Sequence, residues 1–220
     1  MLRTITVKGV GRVSMRPDLV VLSMKVTAKH MEYDQAMEMT AQQLSQIKEC
    51  IVSLGFERET VKTTNFDVSA DYDSCEDRHG NYQRVFKGFK CTHQLKLSFD
   101  LDTKKMSQVF SAVASCPAHP ELRISFTAKD PSSIKDALLC EATANARKKA
   151  ELLCNASGAK LGQLLTIEYN WGELDIHSNS KYKMDGDYFC DIISPITTSI
   201  EIESENIDVC DSATFVWEIG

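Results

Sequence analysis

The sequence DPSSIKDALLCEATANARKKAELLCNASG, residues 130–158, reads as a helix from its first residue to its last. Asp130 suits an N-cap, where its carboxylate can accept from the first free amides, and Pro131 suits the first helical position, where no amide is lost. Gly158 suits the left-handed residue that ends a helix. Between them Leu138, Ala142, Ala146, Ala150 and Leu153 form a ridge whose centre is all alanine. Small side chains let a helix axis lie close to its support, so this ridge predicts the face packed on a sheet. A strand is also readable at the amino terminus. Ile5, Val7, Gly9, Gly11 and Val13 alternate with Thr4, Thr6, Lys8 and Arg12, the period of a strand. The two glycines within it predict a bulge or a close backbone approach.

Outward from these two segments the chain alternates strands and helices. A turn at Arg16-Pro17-Asp18 leads to a strand with Val20, Leu22, Met24, Val26 and Ala28 on one face, which predicts an opening hairpin with the first strand. Helical spacing follows, with Met37, Ala41, Leu44, Ile47, Ile51 and Leu54 as its stripe and Gly55 as its stop. Strands are predicted over 61–72 and 83–99, with a polar loop between. Asp102 caps a short helix whose Met106, Val109, Phe110 and Val113 share a face, and Leu122, Ile124 and Phe126 begin another strand. After the long helix come a strand at 162–171, a polar loop at 172–191 predicted to be mobile, and strands at 196–202 and 209–219. The order ββαββαβαβββ predicts an α+β fold, an antiparallel sheet with helices packed on one face, in a single domain over residues 1–220.

The 220 residues are 43% hydrophobic and 25% charged, ordinary globular composition. Net charge is −6 but unevenly placed: residues 161–220 hold Lys181 and Lys183 against 12 acids. Basic residues elsewhere are scattered among acids, which argues against nucleic-acid binding. No apolar run approaches the roughly 20 residues that span a bilayer. The amino terminus has no continuous apolar core of a secretory signal, which predicts a cytoplasmic protein with its eight cysteines reduced. No cysteine pair has the C-x-x-C spacing of a zinc or redox motif. Gly9-Val10-Gly11 lacks the third glycine and following helix of a dinucleotide site. Asp71, Asp73 and Asp77 place Glu76 and Tyr82 where a calcium loop needs glycine and a bidentate acid. The five histidines have no ligand partner at helical spacing. These absences predict no enzyme activity, no metal and no cofactor.

Taken together, Val7-Lys8-Gly9-Val10-Gly11-Arg12-Val13 with Pro17-Asp18, Gly55 with Val61-Lys62-Thr63, Ala142, Ala146, Lys149-Ala150, Leu153, Gly158 and Leu161-Gly162, and the closing Ile207, Val209, Ala213 and Phe215 resemble the SIMPL-domain family. That resemblance implies an α+β fold, a bacterial source, links to the envelope or oxidative stress, and ring-like assembly, with no catalytic residues to carry over. The reading that follows is a non-enzymatic, self-associating protein. Its expected interface sets Lys148 and Lys149 against the acidic segment that includes Glu201 and Glu203, with strand edges as natural pairing sites. An alternative is a small-ligand or peptide module with Tyr169 and Trp171 beneath the 172–191 loop.

Overall fold

A computed structural model describes residues 3–76, 82–170, 172, 174–178, 180, 182–184 and 203–220. They form β1 (Thr4–Met15), β2 (Leu19–His30), α1 (Tyr33–Ser53), β3 (Lys62–Glu76), β4 (Tyr82–Asp100), α2 (Thr103–Ala114), β5 (Glu121–Thr127), α3 (Pro131–Ser157), β6 (Leu161–Tyr169), β7 (Tyr182–Met184) and β8 (Ile207–Ile219). The fold is α+β. The strand predicted at 196–202 lies outside the described residues, while β7 falls inside the stretch read as a loop. The strands divide between two sheets, ordered β1-β8-β6 and β3-β4-β2-β5-β7. The chain separates into two compact units, one carrying β1, α3, β6 and β8 and the other carrying β2, α1, β3, β4, α2 and β7, with β5 running from the second into the first.

The opening hairpin does not form. β1 pairs antiparallel with β8, and β2 pairs antiparallel with β4. The link between β1 and β2 is tied elsewhere: the Asp18 amide donates to the Thr127 carbonyl at 3.2 Å, and the Asp18 carboxylate accepts from the Lys129 amide at 2.8 Å. A short connection joins two strands in sequence without making them neighbours in a sheet.

In the β1-β8-β6 unit, α3 buries Ile134, Leu138, Ala142, Ala146, Ala150 and Cys154. Leu153 is exposed, contrary to the expected ridge, because steps of four from Ala150 arrive at Cys154. Both predicted ends form, with Asp130 accepting from the Ser132 and Ser133 amides and Gly158 left-handed at φ 75°. A Cβ on Gly9 would stand 2.0 Å from the Ala142 carbonyl oxygen, and one on Gly11 equally close to that of Leu138. The close approach is therefore backbone to backbone. Val7, Ala146, Ala150, Ala213, Phe215 and Trp217 make one core cluster, in which the Phe215 and Trp217 rings stack at 5.5 Å.

The same helix also closes a sheet edge. β1 is an outer strand, and its outward backbone groups meet polar side chains spaced four apart on α3. Glu141 accepts from the Arg12 amide, Asn145 Oδ1 accepts from the Val10 amide at 3.1 Å, and Lys149 Nζ donates to the Lys8 carbonyl at 3.1 Å. An edge whose donors and acceptors are occupied is a poor template for another strand.

In the other unit, β2 presents Val20, Leu22, Met24, Val26 and Ala28 opposite Phe99, Leu97, Leu95, His93 and Cys91 of β4. All ten are buried. α1 packs on both strands and buries Ala36, Thr40, Ile47 and Ile51. Ala41, expected in the stripe, is exposed, and the buried Thr40 stands on that face because its hydroxyl donates to the Ala36 carbonyl at 2.9 Å. α2 buries Met106, Val109, Phe110 and Val113 as its spacing predicts, behind the Asp102 cap.

His93 gives this core a pH dependence. Its Nε2 shares a 2.8 Å hydrogen bond with the Thr63 hydroxyl, and burial, aided by the Lys48 ammonium, holds the imidazole below its ordinary 6.5. The unfolded chain then binds more protons than the folded one under mildly acidic conditions. The contribution of His93 to stability is fully present above about pH 6.5 and is lost as pH falls through its lower folded value. Replacing His93 with Gln is expected to flatten that part of the profile in urea melts between pH 7 and 5. An acid limb as steep as in the parent would show that other groups carry it.

Candidate interaction surface

β2 ends at His30, opposite Phe89, so among the described residues the part of β4 from Tyr82 to Gly88 is paired with β3 alone. Two strands run on as a ribbon past the sheet. Register shifts at Asp71/Tyr72 place Gly88 at a bulge with φ 116°, where a Cβ would meet the His30 carbonyl oxygen at 2.4 Å. An inserted residue at a bulge re-aims the side chains beyond it.

The result is an aromatic row. Tyr33, the first residue of α1, meets Phe89 edge-on at 5.5 Å; Phe89 meets Phe86 at 5.4 Å; Phe86 meets Tyr72 at 5.6 Å. The Arg84 guanidinium stands 4.8 Å over the Tyr72 ring. Phe89 continues the core face of β4 that α1 covers, and beyond Tyr33 no helix continues over it among the described residues. Tyr72 and Phe86 are consequently 47% and 39% exposed, and Tyr82 is 76% exposed. Scattered single apolar residues on a surface mean little, whereas a contiguous row on a strand pair marks an interaction face.

Charge is sorted by strand. β3 carries Asp67, Asp71 and Asp73, and the opposing part of β4 carries Arg84, Lys87 and Lys90. The Lys29 ammonium lies 2.7 Å from the Asp71 carboxylate, and their hydrogen bond, with help from Lys90, holds that carboxyl below its usual range. β3 is the outer strand of its sheet and is exposed along nearly its whole described length. Unlike β1, this edge has no helix laid along it among the described residues.

The residues singled out from sequence are not brought together. Tyr169 packs against the Val7–Trp217 cluster and donates from its hydroxyl to Asp211 Oδ2 at 2.6 Å; that bond holds the phenol above its ordinary value. Trp171 and Glu201 lie outside the described residues. Lys148 and Glu203 are exposed, and Lys149 is engaged at the β1 edge. Within 172–191, His177 bridges to Thr127 and the buried Ser178 accepts no solvent role, its hydroxyl donating to the Glu205 carbonyl at 2.9 Å. A depression lined by Ser23, Gln94 and Arg123 contains Lys25 and Glu121 already paired, at 3.0 and 3.2 Å. Among the described residues no cluster of three metal-ligating side chains occurs. The ribbon was missed because an exposed aromatic strand and a buried one look alike in sequence. The usable signal was Tyr72 and Phe86 flanking a polar segment with no amphipathic helix left to cover them.

Fold and surface thus define an α+β protein with an exposed aromatic strand ribbon. The chain belongs to the SIMPL family, described as proteins of unknown function (DUF541), whose model matches residues 5–217. It is also similar to the 26 kDa periplasmic immunogenic protein of Brucella abortus (strain S19), with 20% identity over 163 residues. That alignment covers 74% of this chain and 65% of the relative's length. The cytoplasmic expectation is overturned by this relative, which is named for the periplasm. The physical reason is that a compartment is written in a removable leader and not in the packing of a domain. No helix among the described residues is long and apolar enough to cross a membrane.

Proposed function

We propose that this SIMPL-family protein is a non-enzymatic, self-associating component of the bacterial cell envelope, with the β3–β4 ribbon as its contact surface. The observation that carries the reading is the exposed row Phe86–Tyr72–Arg84 on a ribbon with one acidic and one basic strand. Two acidic β3 edges repel each other, and so do two basic β4 edges. The favourable pairing sets the β3 edge of one copy beside the β4 ribbon edge of another, with the aromatic rows adding buried area. Such a contact is heterologous, and repeated heterologous contacts generate a ring when the rotation closes. Placement in the envelope is supported by the periplasmic name of the relative.

The test is sedimentation velocity on the full chain at low and at high salt. The parent is expected to sediment as a defined oligomer that loosens at high salt. The double variant Tyr72→Ser/Phe86→Ser is expected to sediment as a monomer with an unshifted melting temperature, since both side chains are exposed. Lys148→Glu/Lys149→Glu serves as the comparison at the site suggested by charge alone. A parent that stays monomeric at every concentration overturns self-association. An oligomer that survives the ribbon substitutions overturns this surface. Fractionation of the host cell tests the location, and recovery wholly with soluble cytoplasmic markers would count against the envelope.

A further inference from the structure

We propose that Cys50 and Cys116 are a latent disulfide pair, which closes the last turn of α1 onto the end of α2 when the chain meets a disulfide donor. Cys50 lies one turn before the end of α1, and its thiol donates to the Ala112 carbonyl at 3.0 Å. Cys116 follows Ala112 by one helical turn, just past the α2 C-terminus, where its amide donates to the Val113 carbonyl at 3.2 Å. The carbonyl that holds Cys50 is thus one turn from Cys116 along the same chain segment. Neither cysteine was paired by sequence spacing, because 66 positions separate them and only the packing of α1 on α2 joins them.

The two sulfurs have different access. Cys116 is buried, whereas Cys50 is partly exposed beside a groove lined by Ser53, Ser107, Ser111 and Ala112. Cys50 is therefore the entry thiol. Its thiolate attacks one sulfur of the donor disulfide, forming a mixed disulfide and releasing one donor thiol. The Cys116 thiolate then attacks the Cys50 sulfur, forming the internal bond and expelling the second donor thiol. Two cysteine thiols lose two protons and two electrons, and the donor disulfide gains both to become two thiols. Burial first, and then the neighbouring Cys116, push the Cys50 thiol up from its ordinary value. A raised thiol is a slow nucleophile at neutral pH, which suits a staple set once in an oxidising compartment rather than a rapid sensor.

Full-length reduced protein is incubated with oxidised glutathione, quenched by alkylation, and examined by intact mass and peptide mapping. The expected result is a species about 2 Da lighter whose cross-linked peptide joins Cys50 to Cys116, formed faster as pH is raised through the alkaline range. Its melting temperature is expected to rise, because the bond closes a long loop of the unfolded chain. Cys116→Ala is expected to stop at a glutathione adduct on Cys50. Cys50→Ala is expected to leave Cys116 unmodified while the protein stays folded. Persistent adducts on Cys50 without cross-linking in the parent overturn the proposal. Cross-links that favour the exposed Cys140 and Cys210 overturn it as well. The outcome is independent of whether the ribbon mediates assembly, since the readout is a bond within one chain.

Discussion

Replacing Gly9 and Gly11 together with alanine is expected to cost roughly 3 kcal/mol or more, measured by urea denaturation followed by circular dichroism. Each new Cβ would enter the space of an α3 carbonyl oxygen at 2.0 Å, and Gly9 would also meet the Ala146 methyl at 2.8 Å. A flexible side chain could swing away from such a contact. A helix carbonyl cannot, because moving it moves α3, and moving α3 breaks more than packing. The Glu141, Asn145 and Lys149 contacts that occupy the β1 edge would separate in the same displacement. Against a typical domain stability of about 5–15 kcal/mol, that loss is a large fraction. Two controls separate the causes. Gly172→Ala meets nothing within 4 Å and is expected to stay within about 0.5 kcal/mol of the parent. Gly158→Ala also meets nothing, but its φ of 75° predicts a cost of about 1 kcal/mol from backbone strain alone. A Gly9/Gly11 double variant no less stable than Gly158→Ala would refute the close-approach account.

Gly88→Ala is expected to combine both penalties and to carry a functional consequence. Its φ of 116° is outside what L side chains adopt readily, and its Cβ would press on the His30 carbonyl oxygen at 2.4 Å. A loss on the order of 3 kcal/mol is expected from strain and overlap together. Relief requires β4 to leave the end of β2, which re-aims the ribbon from Gly88 outward. Phe86 would then part from Phe89, whose rings now meet at 5.4 Å. The variant is therefore expected to lose self-association along with stability, whereas Tyr72→Ser/Phe86→Ser loses association alone. Measuring melting temperature and sedimentation on both proteins distinguishes a ribbon that must be aimed from one that need only be apolar. A Gly88→Ala protein of parental stability would show that the bulge does not need glycine.

Local chemistry was legible wherever one residue type answers one local need. Asp102 and Asp130 were readable as caps because a carboxylate placed before free amides has an immediate partner. Gly55 and Gly158 were readable as stops, and both have positive φ. The buried faces of β2 and α2 followed from periodicity, since side-chain direction along a strand or helix is set by backbone geometry. In α1 the same reasoning misplaced Ala41, which is exposed while its neighbour Thr40 is buried. Thr40 looks polar in sequence, and only a hydrogen bond to its own helix carbonyl makes it a core residue.

The sequence by itself determined the α+β class, the caps and stops of the helices, a close backbone approach at Gly9 and Gly11, and membership in a family. All of these rest on local conformational preference or on short patterns of residue size. Tertiary structure alone decided that β1 joins β8 at the far end of the chain, that Lys149 serves a strand edge, and that the Cys50 thiol meets the Ala112 carbonyl at the end of α2. It also left the aromatic row of β3 and β4 exposed among the described residues. Partner choice between strands and between distant side chains is a competition among long-range contacts, and an individual residue carries no record of which contact wins.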